Sequence, residues 1–156
     1  MDIVPEISAS TDITLVTLQK CPSDINFLAD FFKKVSSLGV DVDMISLAPA
    51  YGAYTSVSFT ISDDDFDKVY RFTLELDKKM HLGAKVSSRN CKISIYSDKM
   101  KNCPGVAAAV FEKAAGVNAD IRLITTSEVD ISLLVTDADF ESTLKSLEDY
   151  FKTKAN

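Results

Sequence analysis

A chain of 156 residues, 46% apolar and 26% charged, has the composition of a soluble globular protein and room for one ordinary domain or two small ones. Its formal charge of −6 argues against a nucleic-acid backbone or an anionic membrane surface as the main partner. No apolar run reaches the roughly 18 residues of a spanning helix, Met1-Asp2 opens no basic-then-apolar leader, and Cys21, Cys91 and Cys103 form no Cys-x-x-Cys pair, so a cytoplasmic protein with reduced thiols is expected, without zinc or a cofactor.

The first residues, with Ile3, Val4 and Ile7 around Pro5, read as a short β-prone piece without a local partner. Residues 12–18 alternate Ile13 and Leu15 with Thr14 and Thr17, which predicts a strand. A loop containing Cys21-Pro22-Ser23-Asp24 then opens a helix whose apolar stripe is Leu28, Phe31, Phe32, Val35 and Leu38. Ser23 or Asp24 suits its N-cap and Gly39 its stop. Residues 40–48 and 54–61 read as two strands joined through a turn with Gly52 free to take positive φ. Ser62 and three aspartates begin a second helix, with Phe66, Val69, Phe72 or Thr73, Leu76 and Met80 inward. The acidic run suits the positive end of a helix dipole better than a metal site, because no other ligands lie nearby in the sequence. Residues 84–88 can form a fourth strand.

From Lys92 the same order returns: a strand with Ile93 and Ile95, a loop ending in Cys103-Pro104-Gly105, and a helix with Val106, Val110, Phe111 and Ala114 on one stripe. Asn118 sits at a reversal, residues 120–126 and 129–135 read as strands, and residues 138–151 as a helix. Residues 57–66 superimpose on 131–140, so two β-α-β-β-α units are expected rather than one larger fold. In each, a Ser or Thr cap precedes an Asp three residues on, which approximates a capping box.

Cys103-Pro104-Gly105-Val106-Ala107, followed by Leu123-Ile124-Thr125-Thr126-Ser127-Glu128-Val129, resembles the second ACT domain of bacterial aspartokinases. The run from Gly39 to Ser46, with Ser58-Phe59-Thr60-Ile61 after it, is similar to the first ACT domain of the same regulatory region. The resemblance implies an α/β fold, an α+β sandwich of two ferredoxin-like βαββαβ domains with the first inserted in the second. The expected divisions are 12–88, and 1–10 plus 90–151. The second unit would otherwise lack its fourth strand, since residues 152–156 are short and polar, and residues 3–8 are the natural donor.

The resemblance also implies a binding module without catalytic residues. An amino-acid effector, with lysine and threonine as candidates, would lay its carboxylate on helix-start amides and its ammonium near a carboxylate of a facing domain. In the first unit this points to Lys20, Ser23, Asp24, Ile25 and Asp41, and in the second to Met100, Asn102, Gly105, Val106, Ala107, Asp120 and Ile121. The first loop departs from the family pattern. Lys20-Cys21-Pro22-Ser23 stands where the family commonly has Asp-Lys-Pro-Gly, and Leu47 and Ala48 replace amide side chains.

Cys21 and Cys103 each precede their loop proline near a helix start, where a thiol pKa can fall, although loop packing is their default role. His81 has no nucleophile and acid at a recognisable spacing, and no phosphate loop or kinase signature occurs. A homodimer with side-by-side sheets is expected, and a catalytic kinase chain is a further candidate partner. Two other readings stay open: the regulatory subunit or excised regulatory region of an aspartokinase, and a ligand-free dimerisation domain.

Overall fold

A computed structural model describes residues 3–154. In chain order it contains β1 (Glu6–Pro22), α1 (Ile25–Ser37), β2 (Ile45–Leu47), β3 (Tyr54–Ser62), α2 (Phe66–Met80), β4 (Ala84–Tyr96), α3 (Val106–Gly116), β5 (Ile121–Thr126), β6 (Asp130–Thr136) and α4 (Asp137–Lys154). Single 3₁₀ turns, Asp63–Asp65 and Asp98–Met100, precede α2 and follow β4. No described helix is long and apolar enough to cross a membrane. The chain divides into two compact units, residues 12–89 and residues 3–11 with 90–154, so the first unit is inserted in the second.

In the inserted unit the strand order is β2-β3-β1-β4. β1 and β3 pair antiparallel from Ile13 opposite Ser62 to Pro22 opposite Tyr54, with a register shift between Leu18 and Cys21. Val16 and Leu18 of β1 and Val57, Phe59 and Ile61 of β3 alternate onto one face, as period 2 requires, and meet Phe31, Val35 and Val69 of the helices. Phe31 anchors this core, with ring centroids 5.6 Å from Phe59 and 5.3 Å from Phe72.

In the split unit the order is β1-β4-β6-β5, and β4 pairs antiparallel with β6 from Asn90 opposite Thr136 to Tyr96 opposite Asp130. Ile93, Ile95, Leu133 and Val135 share a face with Val110 of α3 and Leu147 and Phe151 of α4 above it. Ile3 is 4% exposed in this core and Ile7 packs against it. Burying an isoleucine side chain is worth roughly 1.5–3 kcal/mol, so the first residues contribute materially to the unit that closes the chain.

Several sequence expectations are corrected. The strand expected at 40–48 is confined to Ile45–Leu47. The Thr60 hydroxyl accepts from the Met44 amide at 2.9 Å, while Asp43 N and Met44 O bond the Thr60 backbone, which breaks regular pairing there. Val40 and Met44 are buried and Val42 half-buried, with Asp41 and Asp43 exposed, so the alternation expected of a strand persists here without the regular pairing. In α3, Phe111 is 37% exposed and Ala109 takes the buried place. Met80 is also exposed: His81 adopts φ 54° and turns Leu82 into the core instead. The pieces before and after residue 11 form one strand, β1, and those on either side of Arg89 form one strand, β4.

Candidate functional site

Each unit carries a loop from its first strand to its first helix, and local chemistry makes the two loops different. After β4, the Ser97 hydroxyl accepts from the Lys99 amide, Met100 N donates to Ser97 O at 3.0 Å, and Cys103 N donates to Met100 O at 3.0 Å. Asn102 takes φ 60° at the tip, a conformation Asn tolerates. Gly105 then caps α3 with φ 96°, where a side chain would be strained, and no side-chain group bonds the cap. The first amides of α3 therefore lack a built-in anionic partner.

Opposite this helix start stands the β5–β6 turn. Ser127 N donates to Asp130 O at 2.9 Å, and the Ser127 hydroxyl accepts from the amides of Val129 and Asp130. That double anchorage fixes Glu128 at the tip, where its carboxylate meets the Lys101 ammonium at 2.9 Å. Between loop and turn lies a cleft of about 210 Å³. Buried Met100, Val106 and Ile131 supply apolar lining, Gly105 and Ala107 the helix start, and Thr126, Ser127 and Glu128 the polar wall, with Cys103 beside them. Asn102 lines the adjoining hollow with Lys101 and Glu128.

The loop of the inserted unit is closed by its own groups. Ser23 N donates to Ala53 O at 2.9 Å. The Asp24 carboxylate accepts from Asn26 N and Asn26 Nδ2, both at 3.0 Å, and Phe27 N donates to Asp24 O. A carboxylate thus already sits at the start of α1, and an anionic ligand would meet its charge. Lys20 is exposed with its amide donating to Leu82 O, and Ile25 is 70% exposed. Cys21 is buried, and burial pushes its thiol above the ordinary cysteine value, so the lowered pKa considered for a loop cysteine does not arise there.

Of the residues singled out by sequence, Met100, Gly105, Val106 and Ala107 come together on one cleft, and Asn102 borders it. Asp41 is exposed in the segment before β2. Ile121 begins β5 at the end far from the cleft, about 17 Å along the strand from Thr126 at ~3.3 Å per residue, and Asp120 precedes it. Asp120 is engaged there: its carboxylate pairs with Arg122 at 2.7 Å and its amide donates to Asp139 Oδ2 at 3.0 Å. That amide bond, followed by a 2.9 Å bond from the Thr136 hydroxyl and the charge of Arg122, holds the Asp139 carboxyl below the ordinary carboxylate range.

Sequence reasoning missed Thr126, Ser127, Glu128, Cys103 and Ile131 as cleft residues. A signal was present in the β-α-β-β order: a hairpin turn following the second strand of such a unit returns to the end of the sheet where the first loop lies. Among the described residues no group of His, Cys, Asp and Glu is arranged to hold a metal ion.

Residues 93–151 match the family model of the ACT domain. Over 96% of its length the chain is 30% identical to aspartokinase 2 of Bacillus subtilis (strain 168), of which it covers 37%. The chain thus spans a little over a third of that relative's length. The fold superimposes on the regulatory subunit of aspartate kinase from Thermus flavus with a TM-score of 0.84 at 24% identity, covering 95% of this chain and 98% of that one. It also matches E. coli aspartokinase III in complex with lysine and aspartate, with a TM-score of 0.69 at 20% identity over 94% of this chain and 34% of that one. Residues 93–151 thus match an ACT domain, and the chain as a whole is similar to part of bacterial aspartokinases and, in fold, to aspartate kinase regulatory subunits.

Proposed function

We propose that this chain is a non-catalytic regulatory module that binds a free amino acid in the cleft between the β4–α3 loop and the β5–β6 turn. The observation that carries this reading is the start of α3, capped by Gly105 without a side-chain partner and opening on a cleft whose far wall ends in Glu128. An α-carboxylate suits those amides and the helix dipole. An α-ammonium suits Glu128 in the same cleft. Lysine and threonine are the first candidates, and lysine is bound by E. coli aspartokinase III. The partner in regulation would be an aspartate kinase catalytic domain, in the same polypeptide or in another chain, and the compartment the cytoplasm.

Self-association belongs to the same proposal. β2 is an edge strand with Ile45 50% and Leu47 53% exposed, and residues 44–62 contain no charged side chain. Edge strands without charges invite pairing, and a neutral edge lets two chains of charge −6 approach without local repulsion. A homodimer with adjoining sheets is therefore the expected assembly, checked by light scattering at micromolar concentration; a 17.1 kDa monomer would count against it.

A second reading, a ligand-free dimerisation domain, is favoured by the closed loop of the inserted unit, where Asp24 occupies the helix start. Thermal melts with each of the twenty common amino acids separate the two. A ligand at 100 times its dissociation constant adds about 2.7 kcal/mol of stability, which is visible as a shift of several degrees. A dimer that responds to none of them would favour the second reading.

A further inference from the structure

We propose that Lys101 is a built-in competitor for the effector's ammonium group, a strap that holds Glu128, on the wall of the β4–α3 cleft, in an ion pair until a ligand displaces it. The inference rests on the effector reading above and adds to it a regulation of affinity that comes from this chain's own loop. Its basis is the ion pair between Lys101 Nζ and Glu128 Oε2 at 2.9 Å, which crosses from the loop to the facing turn.

Both ends of the strap are anchored by backbone. Lys101 sits in the tight turn closed by Cys103 N donating to Met100 O, and the Met100 side chain is buried beneath it. Glu128 sits in a turn closed by the Ser127 hydroxyl, which accepts from the Val129 and Asp130 amides, and by Ser127 N donating to Asp130 O. What moves is therefore the four-carbon stem of the lysine, not the loop. The two side chains are 58% and 71% exposed, so solvent screens the pair and its opening costs little. Glu128 also lines the cleft that holds the start of α3. Lys101 reaches the same carboxylate from the adjoining hollow, so an α-amino acid in the cleft that turns its ammonium to Glu128 competes with Lys101 for it.

Binding then exchanges one ion pair for another. Two consequences distinguish this from a decorative surface bridge. Removing the lysine's charge tightens ligand binding, because Glu128 is released beforehand. It also steepens the dependence on salt: in the natural chain screening weakens the broken pair and the formed pair alike, whereas without Lys101 only the formed pair is weakened.

The test uses the full chain and, as probe, each of the twenty common L-amino acids, titrated calorimetrically at about 0.02 M and 0.3 M salt, where the Debye length changes severalfold. Lys101→Met is expected to bind the responding amino acid about two- to fivefold more tightly at low salt, with the larger loss of affinity at high salt. Lys99→Met, which removes the same charge from a side chain lining a different hollow with Glu6 and Tyr96, leaves affinity unchanged. In a Glu128→Gln background, Lys101→Met has no effect. Equal or weaker binding by Lys101→Met, or equal tightening by Lys99→Met, overturns the strap while leaving the effector site in place. Binding by none of the proteins overturns both.

Discussion

The loop of the inserted unit and the loop of the split unit occupy the same station in the same β-α-β-β order, yet they present opposite chemistry. At the first, the Asp24 carboxylate consumes the Asn26 amide, and Ala53 takes the Ser23 amide. At the second, Gly105 supplies curvature without a functional group, and the helix start faces a cleft. One residue decides which: an N-cap aspartate stabilises its helix by neutralising the amides that a ligand would need, whereas a glycine cap leaves them available at some cost in helix stability. The two units thus differ at their helix starts, one closed by its own carboxylate and the other open on a cleft.

The largest effect that would test this division comes from the chain's own ends. If the two units are separate cooperative bodies, deleting residues 1–10 removes Ile3 and Ile7 from the split unit's core alone. The expected loss is about 2–4 kcal/mol from apolar burial, before any loss of strand pairing. Amide exchange should accelerate in residues 90–151 well beyond any change in 12–88. Acceleration centred on 12–88 would place the N-terminal strand in the other unit's stability and undo the comparison.

A middle-sized effect comes from exchanging the two caps. Gly105→Asp places a carboxylate at the start of α3, and its φ of 96° adds backbone strain of about 1–2 kcal/mol. Amino-acid binding should be lost while the dimer persists. Asp24→Gly should cost at most about 1 kcal/mol, since glycine is a tolerable cap, and should open the start of α1. Retained affinity in Gly105→Asp would show that the effector does not use this loop. A new amino-acid response in Asp24→Gly would show that Asp24 alone keeps the inserted unit silent.

Much of this arrangement was legible in the residues. Alternation at Ile93 and Ile95, the helical stripe through Phe31 and Val35, and the repeat that sets Ser62 against Thr136 all report local periodicity, which sequence carries directly. The helix starts were readable too, because capping is decided within a few residues. Less legible was anything set by a partner distant in sequence. Thr60 interrupts the ladder at Met44 through its hydroxyl, and no pattern in residues 40–48 announces that. Phe111 sits on the expected stripe of α3, yet it remains partly exposed while Ala109 is buried. The same limit hid Glu128 from the site. Its place beside the cleft follows from a turn about 23 residues after the loop, whereas Asp120, nearer in sequence, pairs its carboxylate with Arg122 at the far end of β5.

The smallest expected effect lies where the two repeats diverge after their last strands. Asp65 and Asp139 hold equivalent places. Asp65 reaches forward to Lys68 at 2.7 Å in a half-exposed pair three residues apart, worth a few tenths of a kcal/mol. Asp139 reaches back, accepting from the Asp120 amide and the Thr136 hydroxyl, and so ties the start of α4 to the start of β5. Those bonds favour the ionised form, so the Asp139 carboxyl titrates lower in the folded chain than in the unfolded one. A lowered folded-state value makes the contribution fully present above the ordinary carboxylate pKa and lost as pH falls through the folded value. Below neutral pH the split unit should therefore lose stability over that acid window, and Asp139→Asn should flatten the loss while leaving melting temperature above pH 6 slightly lower. Asp65→Asn should change melting at pH 7 by a degree or so, through its lysine pair alone. An acid limb that is identical in the natural chain and in Asp139→Asn would show that the tie between α4 and β5 does not depend on the charge of this carboxylate.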